Sequence, residues 1–212
     1  MIDIAVVDYG MGNLRSVAKA LEHVAPDAKI SVTDSPRQIR EARRVVFPGQ
    51  GAMPDCMREM DARGLREPVL EAAETKPFLG ICIGLQMLFD WSEEGGVAGL
   101  GVLPGKVRRF PREAMVDQGG AKLKVPHMGW NQVEQQQSHP LWSSIETGSR
   151  FYFVHSYYVE AGKPQQVTGV SRYPFAFACA VAQENIFAVQ FHPEKSQAAG
   201  LQLLANFINW NS

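Results

Sequence analysis

Cys82, His192 and Glu194 are the side chains whose types and surroundings could carry covalent chemistry. Cys82 sits in Gly80-Ile81-Cys82-Ile83-Gly84, with a glycine two residues away on each side. Pro77 to Ile81 is short and apolar, as a buried strand requires. Leu85-Gln86-Met87-Leu88-Phe89 resumes at helical spacing, which predicts a helix to about Glu93. A strand, a tight turn and a helix around one nucleophile form the cysteine version of the nucleophile elbow. Such a turn strains the backbone, and its crowded neighbours favour residues without Cβ at positions 80 and 84. A helix N-terminus beside the sulfur favours the thiolate. A cysteine in an apolar segment is more often a small core residue. The glycine spacing and the strand-to-helix switch set Cys82 apart from that reading.

A nucleophile needs a base. His192 ends an apolar strand and is followed by Pro193 and Glu194. Residues two apart in extended chain project to one side, so Glu194 can hold one imidazole nitrogen while the other faces a substrate. Nucleophile, base and orienter are then all present. The N–H groups of Ile83 and of Gln50 or Gly51 can stabilise a tetrahedral oxyanion. The chemistry these residues specify is acyl transfer through a thioester, with the substrate left open. His23 and His139 read as solvated, and His127 and His155 as weak ligand candidates. Cys56 and Cys179 read as packing residues. Cysteines at 56, 82 and 179 give neither a disulfide framework nor a zinc ligand pair, and no metal or cofactor is called for.

The elements that position these groups can be read in order. Ile2 to Val7 is a strand, and Leu14, Val17, Ala18, Leu21 and Val24 form one apolar helix face. The intervening Gly10-Met11-Gly12 lacks the third glycine of a dinucleotide fingerprint, position 15 being Arg. Lys29 to Thr33 is a strand. Ser35-Pro36 caps a short helix to about Ala42. Arg44 to Phe47 is a third strand, ending in Pro48-Gly49-Gln50-Gly51. Pro54 to about Glu74 is helical with a break near Gly64. Strands alternating with helices predict a parallel sheet covered on both faces, with sites at the strands' carboxyl ends. Beyond Gly95 the pattern turns to hairpins: Val102–Phe110, Leu123–Val125, Asn131–Glu134, Arg150–Val159, Gln166–Arg172, Ala176–Gln183 and Ile186–Phe191 read as strands. Ser196 can cap a final helix. The expected fold is a three-layer α/β domain spanning 1–212, with a mostly parallel central sheet flanked by helices and a β-hairpin-rich second half.

Twenty-one basic and 22 acidic residues leave almost no net charge, which argues against nucleic acid or an anionic membrane as the main partner. No apolar run approaches the ~20 residues of a membrane span, and the N-terminus lacks a basic leader, so a cytoplasmic location is expected.

Taken together, Gly80-Ile81-Cys82-Ile83-Gly84-Leu85-Gln86, Pro48-Gly49-Gln50-Gly51 and His192-Pro193-Glu194 resemble the class I, triad-type glutamine amidotransferases. Asp8-Tyr9-Gly10-Met11-Gly12-Asn13, Val125-Pro126-His127-Met128-Gly129-Trp130-Asn131, Tyr152-Phe153-Val154-His155-Ser156-Tyr157 and Gln190 to Ser196 narrow the resemblance. They are similar to the glutaminase subunits of imidazole glycerol phosphate synthase. The resemblance spans nearly the whole chain. It implies that Cys82 attacks the side-chain amide of L-glutamine, with His192 and Glu194 completing the triad. Gly49, Gln50, Gly51, Ile83, Gln86, Ser156 and Tyr157 would hold the glutamine and its oxyanion. It also implies a heterodimer with a (β/α)8-barrel cyclase subunit that receives the ammonia, docked through Asn13, Met128, Trp130, Tyr152 and Lys195. Ile83 and Leu85 depart from the family's usual Leu and Met, and Gln50 stands where a small apolar residue is common. The same triad also serves amidotransferases that make anthranilate or pyridoxal phosphate, and γ-glutamyl hydrolases.

Overall fold

The computed structural model describes residues 2–111, 113, 115–116 and 119–211. Its first half alternates as the sequence predicts. The elements are β1 (Ile4–Val7), α1 (Leu14–Val24), β2 (Ile30–Thr33), α2 (Pro36–Glu41), β3 (Arg44–Phe47), α3 (Met53–Ala62), α4 (Arg66–Thr75), β4 (Phe78–Ile81) and α5 (Ile83–Met87). The Ser35 hydroxyl accepts a hydrogen bond from the Gln38 N–H, and Pro36 opens α2, the expected cap chemistry. The break near Gly64 separates α3 from α4.

The second half contains β5 (Phe89–Ser92), β6 (Val97–Ala98), β7 (Leu103–Arg109), β8 (His127–Gln132), β9 (Glu134–Gln135), β10 (Arg150–His155), β11 (Tyr157–Ala161), β12 (Val167–Arg172), β13 (Ala176–Gln183), β14 (Ile186–Val189) and α6 (Gln197–Asn209). One sheet runs β2-β1-β3-β4-β14-β13-β11-β7-β5-β6, with β12 paired to β13 and β9 paired to β12. The pairs from β2 to β14 are parallel, and the sheet turns antiparallel at β13. β8 and β10 form a separate antiparallel ribbon.

Period-two alternation explains the layering. Ala5, Val7, Val45 and Phe47 pack on one face with Ile39, Met57, Met60, Val69 and Ala72 of α2, α3 and α4. Ile4, Val6, Val46, Leu79 and Ile81 face the other way, against Val17 and Leu21 of α1 and Leu203, Leu204 and Phe207 of α6. Both faces of the parallel half are therefore buried, and its strands read as continuous apolar runs.

Five expectations need correction. Asn131–Glu134 is not one strand: β8 ends at Gln132 and pairs with β10, whereas β9 begins at Glu134 and pairs with β12. The helix after Cys82 ends at Met87, not Glu93, because Phe89 to Ser92 pairs as a strand with β7. Leu123–Val125 is not a strand. Arg150–Val159 is two strands broken at Ser156, one pairing with β8 and the other with β7. Ser196 makes no side-chain cap to α6. Its hydroxyl instead donates to the His192 carbonyl at 2.6 Å and accepts from the Tyr152 N–H at 3.0 Å.

Candidate active site

β4 and β14 are parallel neighbours in register, Gly80 opposite Ala188 and Ile81 opposite Val189. Both strands therefore deliver the residues that follow them to the same edge of the sheet. Cys82 follows one and His192 the other. The Cys82 N–H is anchored by the Val189 carbonyl at 2.8 Å, which ties the turn to β14. Cys82 has φ 57° and ψ −111°, a strained conformation for a residue with a Cβ. The glycines make the turn fit. A Cβ on Gly84 would overlap the Phe47 carbonyl oxygen, and one on Gly80 would come 2.9 Å from the Ala188 Cβ.

His192 is held by its N–H to the Tyr152 carbonyl at 2.9 Å, just before a short 3₁₀ turn, Pro193–Lys195. Its Nδ1 meets Glu194 Oε1 at 2.8 Å, with both side chains nearly fully buried. Glu194 thus reaches the imidazole as the two-residue spacing requires. The other ring nitrogen, Nε2, is buried and makes no hydrogen bond to a described residue, which leaves it available for proton exchange. Burial alone would pull the His192 pKa down. The Cys82 sulfur and the Glu194 carboxylate outweigh it and raise the group to about 10. The site therefore favours the imidazolium form of His192.

These groups open onto a cleft of about 440 Å³. Cys82, Ile83, Gln86, Gln50 and Gly51 line it. Ser156, Tyr157, Tyr152 and Lys195 are also on the lining. Gly49 lies behind the wall, packed so tightly that a Cβ there would overlap the Tyr9 hydroxyl and Ile83 Cγ2. Gly51 has φ +112°. The Gln50 carbonyl accepts the Cys56 thiol at 3.5 Å, so the trans peptide directs the Gly51 N–H to the opposite side of the strand. Ile83 is the first helical residue of α5, whose N–H has no partner within the helix.

Of the residues expected at a partner surface, Met128 and Trp130 are exposed on β8, at 62% and 39%. Tyr152, opposite Trp130 on β10, packs its ring edge-on at 6.2 Å. Lys195 Nζ lies 5.9 Å above the Tyr152 ring. Tyr152 and Lys195 thus join the exposed ribbon to the cleft. Asn13 is exposed at the start of α1. The Gly10–Gly12 loop is not an open phosphate cradle. It packs on the turn after β3, where a Cβ on Gly51 would come 2.6 Å from Met11 Cε.

Sequence reasoning missed several neighbours of the cleft. Gln190 donates from Nε2 toward Cys82 Sγ at 3.7 Å and accepts from Gln86 Nε2 at 2.9 Å. Glu94 lines the cleft while accepting the Met53 N–H at 2.8 Å. His139 is not solvated as its loop context implied. Its Nδ1 caps the Leu141 N–H, its ring packs on Phe187 and Trp210, and burial lowers its pKa to about 4. Cys56 and Cys179 are fully buried, and burial raises both thiols, Cys56 to about 11. Among the described residues no cluster of three or more His, Cys, Asp or Glu could hold a metal, and no helix is long and apolar enough to cross a membrane.

A model of the family "Glutamine amidotransferase class-I" matches residues 5–210. This chain belongs to the class I glutamine amidotransferases. Curated relatives of this amidotransferase include proteins named imidazole glycerol phosphate synthase subunit HisH. The one from Nitrosospira multiformis is 70% identical over 210 residues, covering 99% of each chain. Those from Thiobacillus denitrificans and Nitrosomonas europaea are 69% and 61% identical, each over 99% of this chain and over 92% and 99% of their own. Among solved structures, one titled glutamine amidotransferase has a TM-score of 0.71 at 16% identity, covering 97% of this chain and 99% of its own. A glutamine amidotransferase from Thermotoga maritima has a TM-score of 0.60 at 17% identity, over 91% and 76%. These structures share the amidotransferase fold.

Proposed function

We propose that this amidotransferase is the glutaminase subunit of imidazole glycerol phosphate synthase. In this reading residues 1–212 are one amidotransferase domain working in the cytoplasm, within histidine biosynthesis. The observation that carries the proposal is the strained Cys82 turn beside the buried His192–Glu194 pair, at the ends of adjacent parallel strands. Full-length identity of 70% to a protein of that name supports the destination of the ammonia.

The Cys82 thiol passes its proton to His192 Nε2, and Glu194 steadies the imidazolium through Nδ1. The thiolate attacks the side-chain amide carbon of L-glutamine. Negative charge develops on the amide oxygen, where the Ile83 N–H and the Gln50 or Gly51 N–H stabilise it; one such donor contributes about 2.7–4 kcal/mol. His192 Nε2 returns its proton to the departing nitrogen, ammonia leaves and a glutamyl thioester remains. Water then gives a proton to His192 and attacks the thioester, releasing glutamate and restoring the thiol. Gly49 shapes the strand that presents the oxyanion donors, and Gln86, Ser156 and Tyr157 hold the amino-acid head group.

Ammonia passes to a (β/α)8-barrel cyclase subunit, which forms imidazole glycerol phosphate and aminoimidazole carboxamide ribotide. The barrel docks on Asn13, Met128, Trp130, Tyr152 and Lys195. Exposed Met and Trp suit a partner surface, and the ribbon that carries them adjoins the cleft. The test is glutamate release with and without the cyclase subunit and its nucleotide ligand. Feeble turnover alone, strong stimulation in the complex and abolition by Cys82→Ala are expected. Full activity of the isolated chain would refute the coupling, and turnover by Cys82→Ala would refute the mechanism.

A further inference from the structure

His127 and His155 lie outside the triad, yet they form a buried pair, and His155 lines the cleft. His127 Nδ1 is 2.9 Å from His155 Nε2, and His155 Nδ1 is 2.7 Å from the Tyr157 carbonyl oxygen. Every proton in this chain can be assigned by elimination. The Tyr157 carbonyl only accepts, so His155 Nδ1 must donate. Burial lowers the pKa of His155 to about 3 and of His127 to about 4, so both rings are neutral near pH 7. Neutral His155 then accepts at Nε2, and His127 must donate from Nδ1. His127 Nε2 is left as an acceptor, and Asn131 Nδ2 lies 3.2 Å away. The Asn131 amide orientation is fixed independently, because its Oδ1 accepts the Gln132 N–H at 2.8 Å and its Nδ2 donates to the Arg172 carbonyl at 2.9 Å.

The chain continues beyond the histidines. The Tyr157 carbonyl also accepts from Gln86 Nε2 at 3.3 Å. That fixes the Gln86 amide, whose second N–H goes to Gln190 Oε1. Gln190 must then present its N–H to the Cys82 sulfur. A connected series of hydrogen bonds therefore runs from the β8–β10 ribbon to the nucleophile, with His155 and Gln86 both donating to the Tyr157 carbonyl and Gln86 donating onward to Gln190.

We propose that His127 is a positioning residue for the glutamine pocket, acting through His155 on the Tyr157 carbonyl and the Gln86 amide. The inference rests on the glutaminase reading above. The His127 ring is sandwiched between Tyr173, at 4.1 Å and 19°, and Phe153, at 4.9 Å and 26°. His127→Phe therefore keeps the stack and removes only the two nitrogens. Without the His127 donor, His155 either leaves Nε2 unpaired in the interior or moves its proton there and releases Tyr157. Either outcome loosens the wall that holds Gln86, while Cys82, His192 and Glu194 remain in place.

The experiment pairs ¹⁵N NMR of the histidine rings in the isolated chain with glutaminase kinetics of the complex with its cyclase subunit. In the wild type, His155 is expected as the Nδ1–H tautomer and His127 likewise. In His127→Phe the His155 signals shift toward the other tautomer or broaden. KM for glutamine rises about fivefold to tenfold, the equivalent of one buried hydrogen bond, while kcat falls by less. His127→Asn, which keeps a donor near the Nδ1 position, recovers most of the loss. A folded His127→Phe enzyme with KM within about twofold of wild type overturns the proposal. So does a wild-type His155 protonated at Nε2, a result that stands even if the Phe variant does not fold. Absence of glutamine turnover in the wild-type complex would instead overturn the glutaminase reading and leave the NMR result to decide the hydrogen-bond chain.

Discussion

Replacing Glu194 by Gln removes one charge and almost no volume. Glu194 and His192 side chains are 1% and 3% exposed and meet at 2.8 Å, so solvent screens them little. At an effective dielectric near 20 and a charge separation of ~4 Å, the attraction is about 4 kcal/mol. Stripping one partner from a buried pair costs about 3–5 kcal/mol. The His192 imidazolium bears this loss, so kcat/KM falls about 10²–10⁴-fold, each 1.36 kcal/mol being tenfold. A glutamine amide can also donate to Nδ1, which puts the ring proton on Nε2 and blocks it as a base. The pH dependence carries the sign. Burial lowers the His192 pKa, but the Cys82 sulfur and Glu194 raise it to about 10, above the ordinary 6.5. Its protonation thus contributes stability that is complete below about pH 6.5 and is lost as pH rises through about 10. Glu194→Gln moves that loss, and the alkaline limb of activity, to lower pH. Glutamate release by the complex from about pH 6 to about pH 11, with Tm measured in parallel, reads both effects. A variant within about fivefold of wild type, with its alkaline limb unmoved, would refute the charge argument.

Gly84→Ala is expected not to fold, or to lose more than about 3 kcal/mol, because its Cβ would overlap the Phe47 carbonyl oxygen, a backbone atom of the sheet; circular dichroism and thermal melting check this. Ser196→Ala removes a buried hydroxyl that bridges the His192 carbonyl and the Tyr152 N–H. It should cost about 1–3 kcal/mol in a denaturant titration and lower kcat by loosening the loop that carries His192. Trp130→Ala with Met128→Ala should leave Tm and basal turnover unchanged, since both side chains are exposed. Their removal should weaken the cyclase complex by about 1–3 kcal/mol in calorimetry.

The parallel half of the fold was legible because its signals are local. Ser35-Pro36 caps a helix, Gly64 breaks one, and Gly80 and Gly84 bracket a turn whose crowding comes from adjacent strands. The His192–Glu194 contact was legible for the same reason, being two residues apart. Phe89 to Ser92 misled because Leu88 and Phe89 continue the helical run, whereas pairing with β7, a partner beyond local reach, makes the segment a strand. Ser196 carries the signature of a helix cap, but the Tyr152 backbone, 44 residues away, claims its hydroxyl. Gln190 entered only as part of the Gln190 to Ser196 stretch, with no role of its own. Its role is set by Gln86, 104 residues earlier, and no motif spacing encodes that meeting. His139 read as solvated because Phe187 and Trp210, which cover it, come much later in the chain.

Mass-spectrometric mapping of a glutamine-like electrophile tests most directly whether the sulfur after β4 and the imidazole after β14 work together. With the cyclase subunit present, the adduct should form at Cys82 alone, sparing the buried, high-pKa Cys56 and Cys179, and His192→Ala should slow it at least about a hundredfold. Labelling that goes to Cys56 or Cys179, or that proceeds at an unchanged rate without His192, would contradict the account.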